Sequence, residues 1–220
     1  MGRDIIRNLR KDLRVELREK SALNIAFAFA FISTLAVSLV AGGAALGARE
    51  RALLFWLIMF FSAMSGLSHA FVREEERGTA LFLRLSSPPA AVLSAKLLFN
   101  LLFFLALQAV IAPLFVFFME GGVASPAGFA FSALAGGAAL ASSATVLSAI
   151  AAKSGARGSL FTVISFPVML PVLITAAGAT ADCIETPGTL AGSETVFLLA
   201  FSGAMIAVSY LVFEYIWIDE

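Results

Sequence analysis

Polar and apolar positions are distributed along the chain in blocks: long stretches without a single Asp, Glu, Lys or Arg alternate with short charged segments. The uncharged stretches run from Ser21 to Ala48, Ala52 to Val72, Leu97 to Met119, Gly121 to Ala152, Gly158 to Ala181 and Thr195 to Phe213. A helix rises about 1.5 Å per residue, so about 20 apolar residues cross the ~30 Å hydrocarbon layer of a bilayer. Five stretches reach that length and the sixth falls just short. They are continuously apolar over many turns, whereas barrel strands alternate over about ten residues, so helices are predicted. The expected fold is all-α: a polytopic membrane protein with six transmembrane helices, organised as one domain over residues 1–220.

The first 20 residues follow a different pattern. Ile6, Leu9, Leu13 and Leu17 recur at helical spacing among charges of both signs, which predicts an amphipathic helix lying on the membrane surface. Between the second and third stretches, Phe71-Val72-Arg73-Glu74-Glu75-Glu76-Arg77-Gly78-Thr79 is followed by Ala80-Leu81-Phe82-Leu83-Arg84-Leu85-Ser86-Ser87-Pro88-Pro89. A dense charge cluster ends one helix, and Gly78 permits a sharp change of direction. Leu81 and Leu85, at i and i+4, mark a short amphipathic piece. Pro88 and Pro89 then open the next helix, since proline is tolerated in a first turn. Lys96, early in that helix, is expected to extend its amine back to the interface.

Composition sharpens this picture. With 60% hydrophobic and 14% charged residues and a mean hydropathy of +0.95, a water-soluble enzyme is excluded. The 21 Phe against two Tyr and two Trp suit burial in lipid or between helices. Fifteen basic and fifteen acidic residues cancel, so the information lies in their placement. Thirteen of the fifteen Lys and Arg fall in the amino-terminal segment, the segment holding Arg73 to Lys96, and the pair Lys153 and Arg157. Cytoplasmic loops retain basic residues, which places both termini in the cytoplasm. The 28 residues from Ser21 to Ala48 exceed the apolar core of a signal peptide, about 7–15 residues, so this helix is expected to be retained.

Chemistry-bearing motifs are scarce. No lysine follows a glycine, so a phosphate-binding Gly-Lys-Ser/Thr loop is absent, as are paired carboxylates and hydrolase signatures. The chain is therefore not expected to be an enzyme, nor to bind nucleic acid, and ATP hydrolysis would belong to another subunit. His69 is the single histidine and reads as an interfacial residue rather than a haem ligand. Cys183, also single, reads as a surface thiol of an outer loop. Within the spans the strongest polar groups besides His69 are Asn24, Asn100 and Gln108, which argues against proton or ion coupling. Gly136-Gly137, Ala141 and Thr145 form a small-residue face for close helix packing, within the chain or between copies. Pro167 and Pro171, one turn apart, are expected to kink the fifth span and give it a conformational role.

The stretch Phe71 to Pro88, Lys96, and the run Pro167-Val168-Met169-Leu170-Pro171-Val172-Leu173-Ile174 with the tail Ala176-Ala177-Gly178-Ala179 resemble CcmB, the permease family of the haem-handling ABC transporter of bacterial cytochrome c maturation. In that family an aspartate is usual where Glu74 stands, a second acid where Arg77 stands, and a Glu-Gln pair where Phe82-Leu83 stands. The resemblance implies an ABC-2-like permease with a cytoplasmic coupling helix in the loop 73–92, docking a CcmA-like ATPase through Phe71, Arg73, Glu74, Glu75, Gly78, Thr79, Leu81 and Leu85. It further implies CcmC-like and CcmD-like membrane partners, a CcmE-like haem chaperone, surrounding lipid, and a second permease copy. On this reading the chain binds no cofactor: ATP acts through the ATPase, and haem is handled by the complex at the bacterial inner membrane. ATP hydrolysis would serve haem handling or release of the haem-loaded chaperone. The alternatives are an ABC-2 permease exporting a lipid, glycan or drug, and a non-transporting assembly scaffold.

Overall fold

The computed structural model describes residues 1–19, 21–41, 46–67, 78–118, 122–153, 157–190 and 192–218. Among them, regular structure is entirely helical: α1 (Gly2–Glu19), α2 (Ser21–Ala41), α3 (Ala48–Leu67), α4 (Ala80–Ser86), α5 (Pro89–Phe118), α6 (Pro126–Lys153), α7 (Arg157–Glu185) and α8 (Ser193–Ile218). Five of these, α2 and α5 to α8, are long and apolar enough to cross a membrane. The protein is thus an all-helical, polytopic membrane protein. The remaining expected span, Ala52 to Val72, corresponds to α3, whose first turn carries Arg49, Glu50 and Arg51 and whose expected end lies outside the described residues.

The bundle is arranged around α6. Most of α6 is buried, whereas α2 and α8 present most of their surface outward, with Ile32, Leu39, Val40, Leu211 and Tyr215 exposed. Such faces suit lipid, where helix association depends on close packing and hydrogen bonds rather than on apolar burial. The small residues of α6 supply that packing inside one chain. A side chain at Gly136 would run into the ring of Trp56 from α3, and one at Gly137 into the Gln108 amide from α5. Trp56 in turn donates its indole N–H to Thr180 of α7 (3.1 Å) and meets Phe55 edge-on, at the hub of contacts to Phe115 and Phe129 with ring centroids 5.3–5.4 Å apart.

Buried polar groups on these helices are tied locally. Ser142, Ser143, Thr145 and Ser148 each donate to a carbonyl three or four residues back, as hydroxyls inside helices do. Asn100 donates to Thr145 (2.7 Å), and Gln108 to the carbonyl of Ala133. Asn24, the third expected polar group, is exposed on α2.

Lys96 is 5% exposed and turns its amine to Asp12 of α1 (3.1 Å), and helix α5, which carries it, opens at Pro89 as Pro88 and Pro89 predict. Its 30 residues measure ~45 Å, more than the hydrocarbon thickness. One sequence expectation needs correction: Cys183 is not a loop thiol but a buried residue in the last turns of α7, with its sulfur 3.9 Å from the Ser132 hydroxyl and from the Thr189 carbonyl. The adjoining backbone is pinned by Ser125 N–H to Cys183 O (2.9 Å) and Ala124 N–H to Ile184 O (3.2 Å). Gly128 lets the Thr189 carbonyl approach where a side chain would collide.

Candidate functional site

The segment carrying the expected partner contacts divides into two parts. Phe71, Arg73, Glu74 and Glu75 lie outside the described residues, as do His69 and Arg77. From Gly78 onward the structure is defined. Gly78 adopts φ +65°, a left-handed conformation that glycine takes without a Cβ penalty. Thr79 precedes the seven-residue α4, whose first backbone bond beyond the helix runs from Leu83 N–H to Thr79 O (3.1 Å).

Among the described side chains of α4, Leu83 turns inward and others are presented. Leu83 is 6% exposed and joins an apolar cluster with Val92 and Leu93 of α5, Ala149 of α6, and Phe213 and Trp217 of α8. The last two rings stack at 5.0 Å. Phe82 and Leu85 are 75% and 81% exposed. The sequence marked Leu81 and Leu85 for this face; the side chain of Leu81 lies outside what is described, and the sequence missed Phe82 as a presented residue and Leu83 as the anchor. A helix of seven residues has no marked hydrophobic period, so only its neighbours decide which leucine is inward.

Helix α1 lies against the start of α5 and braces the α4–α5 junction through side chains that sequence reasoning did not single out. Arg7 donates to the Ser86 carbonyl (2.9 Å) and the Ser87 hydroxyl (3.0 Å), and Asn8 donates to the same hydroxyl (3.2 Å). One turn on, Asp12, largely shielded from solvent, forms an ion pair with buried Lys96 at 3.1 Å and with Lys11 at 3.4 Å. A further turn on, buried Glu16 accepts the backbone N–H of Leu23 (3.1 Å), satisfying a free donor in the first turn of α2, where a carboxylate is also favoured by the helix dipole. Asn8, Asp12 and Glu16 recur every fourth residue, so a polar stripe faces the protein. The apolar stripe read from sequence flanks it, with Leu9 and Leu13 half-buried and Ile6 and Leu17 54% and 61% exposed. At the tip, the Asp4 carboxyl is held below the usual range by its hydrogen bond with the terminal ammonium (3.2 Å), assisted by Arg7 at 3.5 Å.

Pro167 and Pro171 both lie within α7, which continues through them, and both are exposed on its outer face. Pro113, which the sequence reading passed over, lies similarly inside α5. Among the described residues, no group of three His, Cys, Asp or Glu is placed to hold a metal.

The sequence profile of the CcmB protein family matches residues 3–215. The chain belongs to the CcmB family. The match takes in α1, the short helix α4 and every long helix, so the brace and the presented helix are both inside it. Membership implies a membrane permease component of the haem-export ABC system, a family of permease subunits rather than enzymes, associated with haem transport and cytochrome c maturation. A search of curated proteins finds no match to the chain.

Proposed function

We propose that this chain is the permease subunit that receives ATP-driven movement from a separate CcmA-like ATPase through α4, with both termini in the cytoplasm of a bacterial inner membrane. The observation that carries the reading is the exposure of Phe82 and Leu85 on a short helix that turns Leu83 into the apolar cluster. Two large apolar side chains projecting from a charged membrane face suit a protein partner, whose hot spots are commonly a few such residues. Glu74 and Glu75, just upstream, offer carboxylates to basic groups of the same partner.

The meeting of α1 and the end of α8 at one site supports a six-span topology. Helix α1 bonds to Ser86 and Ser87, while Phe213 and Trp217 share the cluster of Leu83. This gathering of both ends at one face supports an even number of crossings, with α3 proposed as the sixth. Movement of α4 would pass to α5 through the Ser87 junction and to α8 through Leu83. Pro167 and Pro171, each lacking a backbone donor, would let α7 adapt.

By family, the work so delivered serves haem handling and release of a haem-loaded CcmE-like chaperone, together with CcmC-like and CcmD-like membrane partners and a second permease copy. ATP acts through the ATPase, and haem is handled by the complex. The double substitution Phe82→Ala and Leu85→Ala should reduce co-purification of the ATPase by about thirtyfold or more, as expected when hot-spot side chains are truncated. Undiminished recovery of the ATPase would refute docking through α4. Loss of cytochrome c assembly in a deletion strain tests the haem assignment separately.

A further inference from the structure

One face of α1 gathers most of the helix's basic side chains. Arg3, Arg7, Arg10, Lys11 and Arg14, with Ile6 and Val15 among them, line a shallow groove along it, and the exposed side chain of Leu17 continues the apolar edge that Ile6 begins. The helix thus has three faces: polar residues toward the protein, basic residues outward, and an apolar strip between them. Its position restricts what can occupy the groove. Only residue 20 separates the end of α1 from the start of α2, a membrane-spanning helix, and the two Cα–Cα steps across it reach no more than about 7 Å. The basic groove therefore lies at the level of lipid headgroups, with its apolar strip positioned to enter the acyl boundary.

We propose that this groove binds the phosphate groups of anionic phospholipids, and that lipid occupancy holds α4 in place. Arg3, Arg7, Arg10 and Arg14 recur at three- and four-residue spacing, where like charges on a helix repel. Anionic headgroups relieve that repulsion and pair with guanidinium groups in a favourable planar geometry. Arg7 belongs to both sites: it lines the groove and donates to Ser86 and Ser87 at the end of α4. Lipid that steadies α1 therefore keeps Arg7, Asn8 and Asp12 in register with the α4–α5 junction. In a neutral bilayer, α1 loosens and the junction is released. The inference rests on the membrane-surface placement of α1 and α4, not on which partner docks there.

Hydrogen exchange of the full-length protein in nanodiscs tests it. Discs of phosphatidylcholine alone are compared with discs containing phosphatidylglycerol. Protection of the Leu83 and Ser87 amides should be higher in the acidic discs. Replacing Arg3, Arg10 and Arg14 together by Gln should abolish the difference, since each basic residue at an anionic surface is worth about fivefold in binding. Replacing the same three by Lys should retain much of it. Unchanged slow exchange at Thr145 in α6 verifies that each variant is folded. Equal protection in the two disc types, or a lipid effect that survives the Gln substitutions, overturns the proposal. So does protection by inorganic phosphate added to neutral discs, which would make the groove a soluble-anion site. None of these readouts involves the ATPase, so failure here is distinct from failure of docking through Phe82 and Leu85.

Discussion

Lys96 shows how one residue's environment depends on a distant partner. Its ammonium is taken out of water beside Asp12, 84 positions earlier in the chain, at 3.1 Å. Breaking a buried pair by removing one partner costs about 3–5 kcal/mol, because the other charge remains desolvated, whereas replacing both by apolar groups is often close to neutral. Asp12→Ala is therefore expected to lower the melting temperature substantially, and the pair Asp12→Leu with Lys96→Met to recover much of the loss. Cys183 offers a built-in reporter, since the chain's one cysteine is buried and should react with a maleimide dye only on unfolding. A double variant no more stable than Asp12→Ala would show that the pair is not what matters there. Neither Asp12 nor the burial of Lys96 was legible in sequence, because a lysine near a helix end reaches equally well to water or to a carboxylate on another element.

Among elements, α6 gives the clearest case of sequence and structure meeting. Its small residues were legible as a packing face from spacing alone, but the choice between a partner helix of the same chain and a second copy was not. The structure assigns Gly136 to Trp56 and Gly137 to Gln108. Gly136→Val should force the indole out of place and cost about 1–3 kcal/mol, the usual penalty for overpacking a filled site. A double-mutant cycle with Trp56→Phe should reveal coupling between the two positions, since residues in contact do not behave additively. Strict additivity in the same melting assay would argue against the contact. For α1, the helix itself was legible from its four-residue leucine spacing. Its docking side was not: the polar stripe Asn8, Asp12 and Glu16 has the same periodicity as the apolar one, and only the groups waiting on α2, α5 and Ser87 decide which turns inward.

For the whole molecule, the gathering of α1, α4 and the end of α8 at one face has a direct topological consequence. In a Cys183→Ser background, single cysteines introduced at Gly2 and Glu214 should react with a membrane-impermeant maleimide only after the cells are opened. One introduced at Gly188, in the turn after α7, should react from outside without that treatment. Labelling of the two terminal positions from opposite sides would rule out an even number of spans. The candidate site divides along similar lines. The elbow glycine and the short helix were visible in sequence because chain reversal and charge density are local properties, whereas the presentation of Phe82 and the anchoring of Leu83 depend on how α5, α6 and α8 pack around them.

By itself, the sequence determined that the chain enters a membrane, which segments are apolar enough to do so, and in which connecting segments its basic residues collect. Hydrocarbon thickness and the cost of burying charge act on contiguous stretches and need no knowledge of neighbours. Tertiary structure decided the rest: that Lys96 is paired, that Cys183 is buried, that the small-residue face is filled within the chain, and that α1 turns a polar stripe inward to brace α4. Each of these depends on which group lies opposite across a helix interface, and that is fixed only when the helices pack.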